Sequence, residues 1–160
     1  MGHHYFQLVH FGRVRLLKLV QIWPRAFCKT SINNCLRIPN NFTLHGLWPD
    51  NYIGQLSNCA GTAFNYIKDQ NLVSRLESSW PDLLKLDCKG PNGQSFWKHE
   101  WTKQGTCSTT PNDYDAYFKL AADLKNEYYI LRTLRQSGIQ PAESMESMHP
   151  LLEVQEAGFR

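Results

Sequence analysis

The chain has 160 residues, of which 42% are hydrophobic and 19% charged, and these proportions indicate a globular rather than a disordered chain. Its net charge is +3 and its sequence pI is about 8.6, a mild basic excess that permits a polyanionic partner without requiring one. No apolar run in the sequence is long enough to span a membrane. We expect one globular domain over residues 1–160, because this length supports one sizeable core and rarely two.

Five cysteines lie at irregular spacing along the chain. They contain no CxxC pair, so a structural zinc site is not predicted. Two interpretations stay open: two disulfides with one leftover thiol, or five reduced cysteines in a core. Disulfides are favoured because the cysteines interrupt loop-like stretches. The five are Cys28, Cys35, Cys59, Cys88 and Cys107.

The sequence carries conflicting indications about secretion. Basic residues interrupt the apolar part of the N-terminus, which is therefore not a convincing signal peptide. The triplet at 41–43, Asn-Phe-Thr, nevertheless matches the acceptor sequence for N-glycosylation at Asn41. That match has an effect only if the chain enters the secretory route. The interrupting residues are His10, Arg13, Arg15 and Lys18.

Strands are predicted in the first third of the chain. The stretches "YFQLV" and "LLKLVQIW" are apolar and β-prone, and each predicts a strand. Residues 25–41 are rich in Asn, Ser and Pro and predict a loop. The stretch "FTLHGLWP", residues 42–49, predicts a strand in which alternation buries Leu44 and leaves His45 on an accessible face.

Three helices are predicted further along the chain. The first includes the spaced residues Ile67, Leu72, Leu76 and Trp80 and stops at Pro81. The second runs over residues 96–106 and is closed by Gly105. The third runs over residues 113–138, and Gly138 ends it. Its apolar stripe predicts core packing and consists of Tyr117, Leu120, Leu124, Tyr128, Leu131 and Leu134.

The second predicted helix gathers residues that suit phosphoryl chemistry. Helical spacing brings Glu100 beside Lys103 and Gln104, and it brings His99 close to Lys103. A lysine stabilises extra negative charge on phosphorus, and a carboxylate positions or polarises its neighbours. His45, brought across from the strand, would complete an acid–base pair at a phosphodiester. Without metal ligands at sensible spacing, the natural nucleophile is the 2′-hydroxyl of RNA.

The pattern alone also has more ordinary interpretations. A single histidine on a strand is more often structural than catalytic, and this applies to His45. A run of His99, Glu100 and Lys103 on a helix is more often a solvated face. Trp97 and Trp101 lie one turn apart and are expected to pack in the core rather than to stack on bases.

Two long motifs nevertheless resemble a known family. "FTLHGLWPDN" and "FWKHEWTKQGTC" are similar to the two active-site segments of the ribonuclease T2 family, especially its plant S-RNase and S-like branch. Supporting similarity lies in "WPRAFC", "LSNC", "SSWPDLL" and "YFKLAADLKNEYYILRTLRQSGIQP". The resemblance covers most of residues 23–141 and leaves residues 1–22 atypical.

The resemblance implies a fold and a reaction. The fold is α+β, with a central antiparallel sheet flanked by helices. The reaction is metal-free cleavage of single-stranded RNA through a 2′,3′-cyclic phosphate, with no cofactor. His45 matches the histidine that protonates the leaving 5′-oxygen, Glu100 and Lys103 match the pair that stabilises the charged phosphate, and His99 matches an auxiliary histidine.

The resemblance also implies substrate contacts, disulfides and a location. Trp48 and Phe96 match aromatic residues that line the substrate cleft. Cys28 pairs with Cys35 and Cys59 with Cys107, which leaves Cys88 as the free thiol. The expected protein is a secreted or vacuolar monomer that acts on RNA, not on DNA or membranes, with a protein partner if it is S-RNase-like.

Three departures from the family pattern affect these expectations. Gln104 stands where the second catalytic histidine is expected, and an amide can hold a hydroxyl but cannot accept its proton. Ile22 replaces a glutamine that helps to form a base site, so base preference is left open. The chain ends at Arg160, before the family's C-terminal strands, so we expect a truncated product.

Three hypotheses follow from these departures. The first is an endoribonuclease whose turnover is impaired by Gln104. The second is a catalytically weak or inactive relative that binds RNA or a protein partner. The third is a non-functional fragment that does not fold stably.

Overall fold

The computed structural model describes residues 14, 16–30, 35–51, 53–84, 94–109 and 112–141. The strand predicted in "YFQLV", and Cys88, lie outside these residues. The described strands are β1 (Leu16–Ile22), β2 (Thr43–Asn51) and β3 (Gly54–Gln55). The described helices are α1 (Pro24–Thr30), α2 (Gln70–Ser79), α3 (Ser95–Lys103), a 3₁₀ turn (Gly105–Cys107), α4 (Tyr114–Glu127) and α5 (Ile130–Gln136).

The strands form an antiparallel sheet in the order β1–β2–β3. β1 is the predicted strand "LLKLVQI", and it pairs with β2 from Leu16 opposite Asp50 to Ile22 opposite Thr43. β3 continues the sheet on the other side of β2, with Asp50 opposite Gln55. Together with the helices packed on it, this sheet confirms the predicted α+β class.

Helix α1 corrects the loop prediction for residues 25–41. The helix begins at Pro24, and a proline suits this position because its fixed φ is helical and its missing N–H has no partner there anyway. The carbonyl oxygen of Trp23 accepts hydrogen bonds from the N–H groups of Ala26 and Phe27, each at 3.1 Å. The sequence favoured a loop because Asn, Ser and Pro residues are frequent after Thr30, although Pro24 is a helix-start signal.

Helix α2 begins later than predicted. The side chain of Asp69 caps it by accepting a hydrogen bond from the Asn71 N–H at 2.9 Å. Ile67, which was predicted to lie in the helix, precedes it and is fully buried. The buried amide of Gln94 accepts from the Ile67 N–H at 2.8 Å and donates to its carbonyl at 3.1 Å. These two bonds replace the ones that a helix would give Ile67.

Helix α3 ends at Lys103, so the prediction that it continues to residue 106 and closes at Gly105 was wrong. Gly105 instead begins the 3₁₀ turn. A Cβ at this position would lie 2.2 Å from Cε3 of Trp101. The glycine is therefore required by the close approach of a buried indole and not by a helix stop.

The long third helix is broken into α4 and α5. Tyr128 and Tyr129 leave the helical conformation with ψ angles of 70° and 81°. Gln21 donates a hydrogen bond to the Tyr128 carbonyl at 3.2 Å, which satisfies one group exposed by the break. Tyr128 is 51% exposed, so its predicted place in the core was wrong. The break lets Leu131 pack with Trp23 and Phe42 in a second, smaller core.

The predicted stop at Gly138 is confirmed. Gly138 has a φ of 73°, in the left-handed region that favours glycine. The N–H of Ile139 donates to the Leu134 carbonyl at 2.9 Å, and the N–H of Gly138 donates to the Arg135 carbonyl at 3.1 Å. This pair of bonds is the Schellman arrangement, which closes α5.

The main core lies between β2 and helices α2, α3 and α4. Trp97 and Trp101 are 1% and 0% exposed, which confirms that they pack in the core. None of the helices in the described part of the chain is both long enough and apolar enough to cross a membrane. The core residues are Leu44, Leu47, Phe64, Ile67, Leu72, Val73, Leu76, Trp80, Trp97, Trp101, Tyr117, Phe118, Ala121 and Ala122.

Candidate active site

His45 stands at an irregularity in strand β2. Val20 of β1 is opposite Gly46, but the next residue, Gln21, is opposite Leu44, so His45 is an extra residue in the ladder. A bulge of this kind bends the strand and redirects a side chain. It also explains why Leu44 and Leu47, three positions apart, both lie in the core, which regular alternation would not allow. His45 itself is half-buried.

Trp48 links His45 to the second active-site segment. Its ring centroid lies 5.4 Å from that of His45, edge to face. The Trp48 side chain also donates a hydrogen bond to the carboxyl group of Glu100. A Cβ on Gly46 would lie 2.0 Å from Nε1 of Trp48, so the indole occupies the space that only glycine leaves open. The second half of β2 thus places the Trp48 indole beside both His45 and Glu100.

Helix α3 presents Glu100 to the strand from a mostly buried position. Glu100 is 8% exposed, and burial raises the pKa of its carboxyl group from 4.5 to about 7. The charge of Lys103 and the Trp48 hydrogen bond both lower that pKa, but they do not outweigh burial. The carboxyl group is therefore poised to gain or lose a proton near neutral pH.

Lys103 brings a positive charge to both halves of the site. Burial and, to a smaller extent, the Lys103 charge lower the pKa of His45. The end of α3 is fixed from outside by a loop, because the N–H of Asn58 donates to the Lys103 carbonyl at 2.8 Å. Asn58 has a φ of 54°, a left-handed conformation that asparagine tolerates better than most residues.

Two disulfides have the pairing that the resemblance implies. Cys59 is bonded to Cys107, and this bond joins the loop after β3 to the 3₁₀ turn after α3. Cys28 is bonded to Cys35, across the end of α1. The first disulfide therefore holds the end of α3, and with it Lys103, beside the loop that follows the sheet.

Gln104 lies inside the protein and not on its surface. It is 2% exposed, and its side-chain oxygen has no hydrogen-bond partner among the described residues. The Oε2 atom of Glu100, one helical turn earlier, is likewise buried and unpaired in the described part of the chain. Two side-chain oxygens of this region are therefore buried without a partner among the described residues, and an amide stands where the resemblance implies an imidazole.

Three other predicted site residues make no contact with this group among the interactions of the described residues. His99 is exposed on α3 and makes no hydrogen bond or ion pair with other described residues. Phe96 is half-buried and packs against the main core. The side-chain oxygen of Asn41 is buried and has no partner within the described ranges. The structure thus brings together His45, Trp48, Glu100 and Lys103, and Gln104 follows Lys103 directly at the C-terminal end of α3.

Tyr117 is a site residue that the sequence did not reveal. Its hydroxyl group donates a hydrogen bond to the Leu47 carbonyl at 2.8 Å. Burial, and secondarily the nearby charge of Glu100, raise the pKa of this phenol well above 10.0. On the sequence Tyr117 belonged to an apolar stripe, and only its hydroxyl group could have suggested a buried polar partner.

Comparison with known proteins agrees with the motifs. The sequence profile of the ribonuclease T2 family matches residues 14–158, and the chain belongs to this family. It is 41% identical to Ribonuclease S-7 of Nicotiana alata over 137 residues, which are 85% of this chain and 62% of that protein. It is 42% identical to Ribonuclease MC of Momordica charantia over 127 residues, 76% of this chain and 63% of that protein.

Solved structures of the family share the fold. The SF11-RNase of Nicotiana alata, associated with self-incompatibility, has a TM-score of 0.70 at 38% identity and covers 79% of this chain and 64% of its own. A mutant of RNase MC1 in complex with 5′-GMP has a TM-score of 0.67 at 40% identity, covering 81% of this chain and 66% of its own. The chain thus spans about six tenths of the length of its curated plant relatives.

Proposed function

We propose that this chain binds single-stranded RNA and cleaves it slowly by transphosphorylation to a 2′,3′-cyclic phosphate, without a metal ion or cofactor. The observation that carries the proposal is that His45, Trp48, Glu100 and Lys103 lie close together in a chain of the ribonuclease T2 family. DNA is not a substrate of this reaction, because it lacks the 2′-hydroxyl nucleophile. The relative that was solved with 5′-GMP supports a nucleotide as the ligand class.

Each residue has a role that its chemistry supports. His45 in its protonated form gives a proton to the leaving 5′-oxygen. Lys103 stabilises the negative charge that develops on the phosphate, and Glu100 lies beside it. Trp48 and Phe96 are both half-buried aromatic residues able to stack on bases. His99, exposed on α3, is an auxiliary group at the rim.

Gln104 sets the expected rate. Its side chain can hold the 2′-hydroxyl by hydrogen bonding but has no basic atom to take the proton. A missing general base reduces the rate typically by about 10²–10⁴-fold. RNA binding depends on stacking and on cationic groups, so we expect binding to survive while turnover is weak.

The test uses a synthetic single-stranded RNA with a scissile dinucleotide and follows release of the cyclic phosphate. Gln104→His should raise the rate by about 10²–10⁴-fold, and the matched control Gln104→Asn should not. A DNA oligonucleotide of the same sequence should stay intact. The proposal fails if neither the wild type nor Gln104→His forms a cyclic phosphate. The reduced-rate part fails if the wild type and Gln104→His are equally fast.

The second candidate is a binding protein without turnover, for RNA or for a protein partner. The identity of residue 104 favours it, since the amide of Gln104 can form hydrogen bonds but cannot accept a proton. Fluorescence anisotropy with labelled RNA, performed with Lys103→Ala alongside, separates the two ligand classes. Loss of RNA affinity in the variant supports RNA as the ligand, whereas no RNA affinity in the wild type leaves a protein partner.

We also propose a single domain over residues 1–160, a monomer in solution, glycosylation at Asn41 and a secreted or vacuolar location. The two disulfides support the location, because such bonds persist in oxidising compartments. Gel filtration with light scattering tests the monomer. Mass spectrometry of protein expressed in plant cells tests the glycan.

A further inference from the structure

Glu100 lies one helical turn before Gln104, and its carboxyl group can take up or release a proton near neutral pH. The two side chains are four residues apart on one helix and so face the same side. Glu100 Oε2 and Gln104 Oε1 are both buried and both lack partners within the described residues. Buried acceptors without partners are costly. Protonation of Glu100 turns one oxygen of its carboxyl group into a donor, so this burial favours uptake of a proton by Glu100.

The surroundings of Glu100 supply one charge and several neutral groups. Lys103 of the same helix carries the positive charge. From β2, Trp48 donates its N–H to Glu100, and His45 lies against Trp48. From α4, Tyr117 presents a phenol that stays neutral at physiological pH. This environment stabilises the carboxylate enough to form it, and burial keeps its proton affinity high.

We propose that Glu100, and not residue 104, takes the proton from the 2′-hydroxyl of bound RNA. This inference rests on the proposed function. In the step, the 2′-O–H bond breaks and its proton goes to the carboxylate of Glu100, while the 2′-oxygen forms a bond to phosphorus. The bond from phosphorus to the 5′-oxygen breaks, and that oxygen takes the proton of protonated His45. Glu100 ends as a carboxylic acid and His45 as a neutral imidazole.

The same environment explains why this base is a poor one. The step needs an ionised Glu100 together with a protonated His45. Burial raises the pKa of Glu100 to about 7 and lowers the pKa of His45. The reactive pair of protonation states is therefore a minority at every pH, and turnover stays below that of an enzyme with two histidines even though a base is present.

The test compares Glu100→Gln in two backgrounds. In the wild type it should reduce cyclic-phosphate formation by about 10²-fold, the low end of what a general base contributes, because a poor base is lost. In Gln104→His, where an imidazole can take the proton, the same change should reduce the rate far less. Glu127→Gln, an exposed carboxyl group on α4, serves as the control and should change neither rate.

The outcomes separate this inference from the proposed function. An equal reduction in both backgrounds means that Glu100 acts only through its charge, and it overturns the inference. A wild-type rate no higher than that of Glu100→Gln overturns it too, while activity of Gln104→His keeps the proposed function. A pH–rate profile adds a second readout, because Glu100→Gln should abolish one limb of the wild-type profile and Glu127→Gln should leave both.

Discussion

The hydroxyl group of Tyr117 donates a hydrogen bond of 2.8 Å to the carbonyl oxygen of Leu47. Leu47 lies on β2 between His45 and Trp48, and Tyr117 lies in the first half of α4. Both residues are buried, at 0% and 1% exposure. The bond therefore connects α4 to the part of β2 that carries the side chains of His45 and Trp48.

Tyr117→Phe should destabilise the protein. It removes the donor and leaves the Leu47 carbonyl buried without this partner, a loss of about 1–3 kcal/mol in the free energy of unfolding. Urea denaturation followed by circular dichroism measures the change. Tyr128→Phe is the matched control, because Tyr128 is 51% exposed and should change the midpoint very little. Equal midpoints for both variants would refute the structural role.

The free energy of unfolding should fall as the pH rises from about 4.5 to about 7 because of Glu100. The folded state holds the Glu100 proton up to about pH 7, whereas the unfolded chain releases it near 4.5, so the folded state binds more protons between these values. This contribution is complete below 4.5 and is lost as the pH passes 7. The two pKa values differ by an amount worth about 3 kcal/mol.

The isosteric variant Glu100→Gln isolates that pH dependence. The variant cannot ionise at this position, so its stability should exceed that of the wild type increasingly as the pH rises from 5 to 8. Denaturant midpoints at several pH values give the difference curve. A difference that is constant with pH would contradict the raised pKa of Glu100.

Gly46→Ala should disturb the site through Trp48. The new methyl group would lie 2.0 Å from the indole Nε1, so the indole must move away from Glu100. Loss of its hydrogen bond should raise the pKa of Glu100 further, which NMR titration of the Glu100 side chain measures. In a Trp48→Ala background the same glycine change should have little effect on stability, since the clash is gone. A large effect in both backgrounds would show that backbone conformation, not the indole, requires the glycine.

The two disulfides should differ in their contribution to stability. Cys59 and Cys107 are 48 residues apart, and closing a loop of this size is worth about 4 kcal/mol in the chain-entropy account. Cys28 and Cys35 are 7 residues apart, and their smaller loop is worth about 2.5 kcal/mol. Replacing each pair by alanine and comparing thermal midpoints checks the order. The reverse order would mean that strain or residual structure outweighs loop closure.

The sequence predicted the elements whose start or stop signal is local. β1, the strand around His45 and the stop at Gly138 all follow from apolar runs or from a glycine at a helix end. It did not predict the break after α4, because Tyr128 and Tyr129 continue the helical pattern. The interaction that accommodates the break comes from Gln21, which is 107 positions away.

The proximity of the candidate site residues follows from the two motifs and not from residue spacing alone. The resemblance singled out His45, Trp48, Glu100 and Lys103, and the structure places them together. Two determinants of its chemistry could not be read from the sequence. Burial of Glu100 depends on packing between β2 and α3, and the contact of Tyr117 depends on a strand that lies 70 positions earlier.

The bulge at His45 has a consequence for how the site relates to the fold. Without His45, Gly46 would follow Leu44 directly, and Leu44 and Leu47 would become two positions apart, the spacing that puts both on one face of a regular strand. A chain with that single deletion would therefore keep its hydrophobic register while it loses its histidine. His45 is the residue without a partner in β1, so the position of the proposed catalytic histidine is independent of the residues that set the pairing of the sheet.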